Sequence, residues 1–292
     1  MFGFLIFLPE TGQLWPIMAG ASIIVTVGIL DDLMELSAKV KFAAQIMAAI
    51  VTVLGGVQIE FITLPFGDRV EFGYLAIPIT LLWIVGVTNA INFIDGLDGL
   101  AAGVTSIALL TISGIAISMG NAAIGLAGML LLGSTLGFLV YNFHPAKIFM
   151  GDTGSLFLGY MVSVLAVMGL FKNVTFFSLI VPIIILGVPI LDTLSAIVRR
   201  IRHKQPVTSP DKLHLHHCLI RLGYSHRQTV ILIYAVSSLF SIAAILFTRA
   251  TMWGSVMLIV SLILLVELIV EITGIIGENY RPILNIIRKS RP

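Results

Sequence analysis

Long apolar stretches, separated by short polar segments, run through the whole chain. A helix that crosses a bilayer needs about 20 mostly apolar residues, and the strict alternation typical of membrane barrel strands is absent. We therefore predict an all-α integral membrane protein, a polytopic helix bundle in which residues 1–292 form a single transmembrane domain. The pattern predicts about nine spans, at residues 15–31, 40–59, 75–93, 100–119, 121–141, 154–171, 175–196, 228–248 and 252–273.

Composition agrees with the apolar pattern and narrows the class of protein. Hydrophobic residues make up 58% of the 292 residues and charged residues 11%, whereas a soluble domain carries about 25% charged residues. So few charges cannot cover a surface that faces water. Disordered chains, secreted disulfide scaffolds and proteins that bind nucleic acid are thereby excluded. The single cysteine, Cys218, excludes an internal disulfide and a cysteine-based metal site.

The positions of the basic residues predict an orientation, because Lys and Arg concentrate in cytoplasmic loops. If the loop after the first span is cytoplasmic, the outer segments contain Arg69, Lys172 and Arg249. The cytoplasmic segments then contain the other 14 of the 17 basic residues: Lys39, Lys41, Lys147, Arg199, Arg200, Arg202, Lys204, Lys212, Arg221, Arg227, Arg281, Arg288, Lys289 and Arg291. The polar segment at residues 199–227, rich in basic residues and histidines, is therefore expected to be a cytoplasmic loop.

Two adjacent carboxylates, Asp31 and Asp32, close the first predicted span. They repel each other and lie at the negative end of the helix dipole, so we expect a cation or a hydrogen-bond donor nearby. One interpretation is a solvated helix end. The other is a site that binds Mg²⁺, which carboxylate oxygens suit, or that takes a proton from a substrate.

Asparagine and aspartate recur every three residues at positions 89, 92, 95 and 98. Nine residues at 100° each put Asn89 and Asp98 on opposite sides of a continuous helix. The two side chains converge only if the helix ends near Gly96 and Gly99, where a break is expected. The pattern favours a polar pocket over a simple glycine-rich turn.

A third polar cluster, with Asp152 between Gly151 and Gly154, opens another span. Aspartate is a common N-cap residue. A helix N-terminus also attracts phosphate through its free N–H groups, and glycine lets the backbone approach a diphosphate closely. The capping role and the binding role are compatible.

The fourth cluster consists of His214, His216 and His217 in the basic segment. If this segment is helical, His214 and His217 are neighbours and His216 points elsewhere. Because the spacing matches no standard zinc signature, contact with phosphate or sugar is favoured over zinc, and an exposed loop cluster is the alternative. We interpret the basic run that begins at Arg199 as a topological stop, and His144 as an interfacial residue.

Taken in order, the polar segments resemble the polyprenyl-phosphate N-acetylhexosamine-1-phosphate transferase family. The matching stretches lie between Gln13 and Thr248 and read GILDDLMEL, NAINFIDGLDGLAAG, FMGDTGSLFLGY, PILDT and DKLHLHHCLIRLGYSHRQTV. Each motif is weak alone, whereas the ordered set is highly specific. Family members usually have further spans before the aspartate pair. Because only the short apolar segment at residues 1–8 and one span come before it here, we expect either a chain truncated at its N-terminus or a misassigned start at Met1.

The resemblance implies a Mg²⁺-dependent enzyme, with Mn²⁺ as the alternative metal, in the bacterial cytoplasmic membrane. It would transfer N-acetylhexosamine 1-phosphate, with N-acetylglucosamine 1-phosphate as the expected group, from its UDP-sugar to undecaprenyl phosphate and release UMP. This reaction would be the first membrane step of cell-envelope polysaccharide or teichoic acid synthesis. At the cytoplasmic face, Asp152 and Asn92 would bind the metal, and Asp31 or Asp32 would deprotonate or orient the lipid phosphate. Substrate-binding roles would fall to Asn89, Asp95, Asp98, Phe149, His214, His216 and His217.

Alternatives to this function come from the same family and from other classes. The last stretch resembles the branch that uses UDP-N-acetylglucosamine, and the alternative branch uses UDP-N-acetylmuramoyl-pentapeptide. A cation-coupled transporter would also place carboxylates near broken helices, but the acids here cluster at one face and no inverted repeat is visible. A non-catalytic scaffold is the third alternative. The expected partners are the lipid carrier, the UDP-sugar and the bilayer, and a homodimer stays open.

Overall fold

A computed structural model describes residues 12–63, 69–171, 180–206, 213–277 and 280–289. Within these residues the chain is almost entirely helical, and helices occupy all nine places where spans are predicted. The helices, numbered along the chain, are α1 (Leu14–Met34), α2 (Ala38–Leu54), α3 (Ala76–Ile94), α4 (Leu100–Ser118), α5 (Ala122–Asn142), α6 (Gly151–Ala166), α7 (Ile180–Ile185), α8 (Gly187–Arg202), α9 (Leu215–Arg221), α10 (His226–Arg249), α11 (Met252–Thr273) and α12 (Pro282–Lys289).

Seven helices in the described part of the chain are long and apolar enough to cross a membrane, namely α1, α3, α4, α5, α6, α10 and α11. The other two predicted spans correspond to the 17-residue α2 and to the pair α7 and α8, which a break at Leu186 separates. The polytopic helical membrane protein is thus confirmed, and nine is an approximate count. The second span was predicted too long, because the glycines at 55 and 56 end α2, with Gly56 at a φ of 92°.

One hairpin and two short turns in the described part of the chain depart from a purely α-helical bundle. Strands β1 (Phe61–Thr63) and β2 (Arg69–Glu71) form an antiparallel hairpin between α2 and α3. A 3₁₀ turn at Gly73–Leu75 precedes α3, and a π-helical turn at Val167–Phe171 extends α6. The apolar pattern did not reveal the hairpin, because three-residue strands are shorter than any reliable alternation.

Helix α6 lies in the interior of the bundle, between α1 and α3. Glycine permits both contacts, since a Cβ on Gly28 would meet the Cα of Thr153 at 2.4 Å and one on Gly159 would meet the Cα of Thr88 at 2.8 Å. Farther along α6, the fully buried Tyr160 donates a hydrogen bond to the carbonyl of Ile17 at 3.0 Å. The first turn of α6 is thereby held beside the last turns of α1 and α3.

The predicted loop at residues 199–227 is in fact partly helical. Helix α8 continues to Arg202, and α9 follows from Leu215, so helical structure occupies both ends of the segment. Arg199 is buried at 3% exposure and its guanidinium donates to the carbonyl of Ile275. Arg199 therefore packs inside the protein, and the interpretation of the basic run as a topological stop stays a prediction. Residues 207–212, with Asp211 and Lys212, lie outside the described residues.

Candidate active site

A lysine joins the first polar cluster to the third. The Nζ atom of Lys41 lies 2.9 Å from Asp31 Oδ2 and 2.7 Å from Asp152 Oδ2. The other oxygen of Asp31 accepts a hydrogen bond from the backbone N–H of Leu36 at 2.8 Å. The cation and donor expected beside the aspartate pair are therefore present. Sequence reasoning gave Lys41 no role, although it lies in the first turn of the helix that follows the pair.

Asp32 caps α6 from a different helix. Its carboxylate accepts hydrogen bonds from the backbone N–H groups of Asp152 (2.8 Å) and Thr153 (3.2 Å), and from the Thr153 hydroxyl (2.6 Å). Helix α6 begins at Gly151, so Asp152 lies inside the first turn. The N-cap interpretation of Asp152 is thus wrong, because another carboxylate accepts from the free N–H groups of this turn. Gly151 adopts a φ of 63°, and a Cβ there would lie 2.7 Å from Asp32 Oδ2.

The helix break predicted at the second cluster is confirmed. Helix α3 ends at Ile94, and Gly99 adopts a φ of 80° before α4 begins. The break brings Asn92 to α6, where its amide nitrogen donates to Asp152 Oδ1 at 3.2 Å and to Ser155 Oγ at 2.9 Å. The last turn of α3 and the first turn of α6 therefore share one polar site.

Asp95 caps the C-terminus of α3 with its backbone and is partly buried. Burial, together with the negative charges of Asp152 and Asp32, raises the pKa of Asp95 to about 7. A carboxyl group whose ionisation is opposed by two neighbouring carboxylates is favourably placed for a cation.

Asn89 does not join this cluster. Its amide nitrogen donates to Gln45 Oε1 and to the carbonyl of Val85, so it links α3 to α2. The substrate-binding role that the resemblance implies for Asn89 gains no support from this geometry, because Asn89 is absent from the lining of the neighbouring cavity.

A cavity of about 390 Å³ opens beside the carboxylates. Asp152, Asn92 and Asp95 line one part of it, and Asp98 and His226 line another. Phe149 also contributes to its wall, with 77% of its surface exposed. The cavity is large enough for part of a nucleotide-sized ligand, and it joins the second and third predicted clusters.

Asp98 forms a small network with two histidines. Its Oδ2 atom lies 2.8 Å from His144 Nδ1 and accepts from the N–H of Ala146 at 3.2 Å. The His144 ring stacks on that of His226, with centroids 4.2 Å apart. Burial raises the pKa of Asp98, but the hydrogen bonds from His144 and Ala146 outweigh it and hold that pKa below its ordinary value. His144 therefore contacts a predicted substrate-binding residue, and its interpretation as an interfacial residue stays a prediction.

The histidine cluster is anchored to α8 by a buried carboxylate. Asp192, 1% exposed, lies 2.7 Å from His214 Nδ1 and accepts from the backbone N–H of Leu215 at 2.6 Å. Asp192 belongs to the stretch PILDT. The sequence placed it near the same face but gave it no role.

His216 lies between the other two histidines. Its ring centroid is 5.9 Å from that of His214 and 4.2 Å from that of His217, so the expectation that it points elsewhere is wrong. The reason is that His214 is extended and precedes α9, so helical spacing does not apply to it. Burial and the neighbouring His217 lower the pKa of His216 to about 4. A Cβ on Gly96 would clash with its ring, which places the cluster against the cavity loop.

The carboxylate cluster fits a hard divalent cation. Asp31 and Asp152, whose Oδ2 atoms both contact the Lys41 ammonium, offer carboxylate oxygens, which suit Mg²⁺. The Lys41 ammonium lies between these two carboxylates, so the position already accommodates positive charge. The Asn92 amide, rotated about its Cβ–Cγ bond, would present an oxygen to the same place.

Comparison with known proteins agrees with this arrangement. Residues 14–170 match the profile of glycosyl transferase family 4. The chain is 54% identical, over 91% of its length and 75% of the relative's, to a probable undecaprenyl-phosphate N-acetylglucosaminyl 1-phosphate transferase of Bacillus subtilis (strain 168). It is 39% identical to the decaprenyl-phosphate N-acetylglucosaminephosphotransferase of Mycobacterium leprae (strain TN), covering 86% of the chain and 69% of the relative.

A more distant relative belongs to a different branch. The phospho-N-acetylmuramoyl-pentapeptide-transferase of Halalkalibacterium halodurans is 35% identical over 75% of the chain and 69% of its own length. The profile covers the helices that carry the carboxylate cluster. The chain therefore belongs to glycosyl transferase family 4, and the family resemblance read from its motifs is confirmed.

Proposed function

We propose that this membrane phosphotransferase moves N-acetylglucosamine 1-phosphate from UDP-N-acetylglucosamine to undecaprenyl phosphate and releases UMP. The 54% identity to the Bacillus protein supports this donor and acceptor, whereas the relatives named for the muramoyl-pentapeptide reaction are 35–36% identical. We also propose that the polar end of the bundle faces the cytoplasm, as the distribution of basic residues predicts.

The observation that carries the proposal is the junction of a carboxylate–lysine cluster with a polar cavity. The cluster contains Lys41 between Asp31 and Asp152, and the cavity extends from Asp152 to Asp98 and Phe149. Such an arrangement suits an anionic ligand with one charged end and one aromatic end. A UDP-sugar has both.

In the proposed reaction, a phosphate oxygen of the lipid attacks the phosphorus that carries the sugar. A new phosphoanhydride bond forms, the bond to the phosphate of UMP breaks, and UMP leaves with the electron pair. Because both reactants are anions, positive charge must offset their repulsion, and phosphoryl transfer depends mainly on positioning and electrostatics. Lys41 carries one such charge but shares it with Asp31 and Asp152, so a bound cation would supply the remainder.

Asp31 or Asp32 would orient the lipid phosphate. A strong base is not required, since the second pKa of such a phosphate lies near about 6 by analogy with phosphoserine. Asp32 already accepts three hydrogen bonds from the first turn of α6, so its second role is to fix Asp152 relative to α1.

Asp152 and Asn92 are the residues that would hold Mg²⁺. When bound, this ion would neutralise diphosphate charge and make the phosphorus more electrophilic. Asp98, Asp95 and Phe149 would contact the uridine, with the exposed Phe149 ring available to stack on the base. His214, His216 and His217 would face the diphosphate and the sugar from the opposite side of the loop that contains Gly96.

The test is transfer of radiolabel from a panel of UDP-sugars into a lipid that organic solvent extracts. The panel includes UDP-N-acetylglucosamine and UDP-N-acetylmuramoyl-pentapeptide, with purified protein, undecaprenyl phosphate and Mg²⁺. We expect label in the lipid only from the N-acetylhexosamine donors. Label from the muramoyl-pentapeptide donor alone would assign the chain to the peptidoglycan branch, and label in neither lipid would contradict the transferase function.

The reverse reaction distinguishes transfer from hydrolysis. One phosphoanhydride bond is exchanged for another of similar type, so the equilibrium constant should lie within a few powers of ten of unity. Each tenfold change in that constant corresponds to about 1.4 kcal/mol of reaction free energy. We expect labelled UMP to exchange into UDP-N-acetylglucosamine when the lipid acceptor is present, and Asp98→Ala to weaken this exchange chiefly through nucleotide affinity. Release of free sugar phosphate without UMP exchange would indicate a hydrolase.

A further inference from the structure

Three side chains, none of them close in sequence to Asp31 and Asp32, converge beside the cavity. Asp98 comes from the loop between α3 and α4, His144 from the segment after α5, and His226 is the first residue of α10. One ligand atom from each lies within 4.8 Å of the other two. The arrangement brings two imidazoles and one carboxylate to a single point.

One of these groups has an unsatisfied nitrogen. The Nε2 atom of His226 is buried and has no hydrogen-bond partner among the described residues. A buried polar atom without a partner lowers stability, so a ligand that satisfies it would stabilise the site. The backbone around His226 is fixed, because Ser225 and Gln228 form a reciprocal capping box at the start of α10.

We propose that Asp98, His144 and His226 form a second divalent-cation site, selective for a borderline metal such as Zn²⁺. Imidazole nitrogens with a carboxylate suit Zn²⁺, Co²⁺ or Ni²⁺, whereas Mg²⁺ prefers oxygen ligands. This site is therefore chemically different from the oxygen-rich cluster around Asp152. The two centres lie along the same cavity, which both Asp152 and Asp98 line.

Metal binding requires a small rearrangement. With Zn–N bonds of about 2.0–2.1 Å, ligand atoms in a tetrahedral site are separated by about 3.4 Å. The 2.8 Å contact between Asp98 Oδ2 and His144 Nδ1 must lengthen. The stacked rings of His144 and His226, whose planes form an angle of 21°, must also tilt so that one nitrogen of each ring faces the ion. Because Asp98 and His226 line the cavity, the fourth coordination position would face it.

A metal at this point has a consequence for the proposed function. It would occupy the carboxylate of Asp98, which we place at the uridine end of the site. Zn²⁺ is therefore expected to inhibit transfer in competition with the UDP-sugar. This inhibition depends on the proposed function, whereas binding of the metal does not.

The test uses Co²⁺ as a spectroscopic substitute for Zn²⁺. The metal-free, purified 292-residue protein in detergent is titrated with Co²⁺, and the visible absorption bands of four-coordinate Co²⁺ are recorded before and after addition of Zn²⁺. We expect intense bands at one equivalent, displaced by Zn²⁺ but not by Mg²⁺. His226→Ala and His144→Ala should each weaken Co²⁺ binding at least about tenfold.

Two variants serve as controls. His203 is exposed at the end of α8, so His203→Ala removes a histidine elsewhere and should leave the bands unchanged. Asp152→Asn removes a ligand of the oxygen-rich cluster and should also leave them unchanged. Loss of the bands in Asp152→Asn would assign the metal to that cluster and overturn the proposal.

Further outcomes separate this site from the transferase reaction. Octahedral Co²⁺ in the wild-type protein, or undiminished bands in both His144→Ala and His226→Ala, would overturn the site while leaving the transferase function intact. If His226→Ala does not fold, His144→Gln provides the same test without altering the first turn of α10. A protein that binds Co²⁺ as expected but transfers no sugar phosphate would contradict only the proposed function.

Discussion

At the scale of single residues, the site is organised by charge balance. Lys41 contacts Asp31 and Asp152, while Asp32 accepts hydrogen bonds from the first turn of α6. Adjacent Asp31 and Asp32 therefore have different partners, and their substitution should have different consequences. Although both carboxylates lie at the end of α1, Asp31 binds the Lys41 ammonium and Asp32 binds backbone N–H groups of α6.

We expect Asp152→Asn to abolish turnover while the protein still inserts and folds. The substitution keeps the size of the side chain but removes the charge that faces Lys41 and the proposed metal. Turnover at saturating Mg²⁺ and thermal unfolding in detergent check this. Glu60→Gln, an exposed substitution before the hairpin, is the matched control, and near-normal turnover of a folded Asp152→Asn protein would remove Asp152 from the proposed metal site.

We expect Asp31→Asn and Asp32→Asn each to reduce kcat/KM by more than about tenfold, which corresponds to about 1.4 kcal/mol of transition-state stabilisation. Asp32→Ala should in addition lower the free energy of unfolding by about 1 kcal/mol, the usual cost of losing a helix cap. Parallel measurement of kinetics and unfolding separates the two effects. Wild-type kcat/KM in both Asn variants would make the pair purely structural.

At the scale of secondary-structure elements, the critical contact is between α1 and α6. The two helices approach so closely at Gly28 that no side chain fits between them, and Asp32 caps α6 from the last turn of α1. The position of Asp152 therefore depends on the packing of a helix to which it does not belong.

We expect Gly28→Ala to lower both thermal stability and turnover. The new methyl group would lie 2.4 Å from the Thr153 Cα, and overpacking of this kind costs about 1–3 kcal/mol. Gly137→Ala in α5 is the control, because no atom lies within 4 Å of its added Cβ, so the better helix propensity of alanine should leave stability equal or higher. Equal unfolding temperatures and equal turnover for the two variants would contradict the close contact.

At the scale of the whole molecule, orientation is the main structural property still to be measured. We expect a cysteine at the exposed position Glu71 to react with an impermeant maleimide in intact cells, and one at Lys204 to react only after permeabilisation. The reason is the concentration of Lys and Arg on the side of Lys204. The buried Cys218 is replaced by alanine in both variants, and the reverse labelling pattern would place the candidate site on the outer face.

The sequence predicted the helical architecture and the meeting of the polar segments. Both depend on properties that are local in the sequence, namely the length of each apolar stretch and the position of glycines that end a helix. It did not reveal Lys41, His144, His226 or Asp192 as partners of the predicted carboxylates and histidines. These contacts join residues that are 10 to 111 positions apart, and neither periodicity nor spacing records which long-range partner a side chain meets. Asn89 was grouped with the pocket by its spacing and by the family resemblance, but its amide donates a hydrogen bond to Gln45.

The cap that Asp32 places on α6 also bears on how the protein is made. The capping carboxylate and the N–H groups that it satisfies are 120 and 121 residues apart, which corresponds to roughly 6–24 s of translation at about 5–20 residues per second. Lys41 follows Asp31 by only 10 residues, so Asp31 can form its ion pair early. Asp32 can form its hydrogen bonds only after α6 has left the ribosome. The candidate site is therefore assembled only after α6 has been synthesised, and any earlier release of the nascent chain leaves Asp32 without the hydrogen-bond donors of α6.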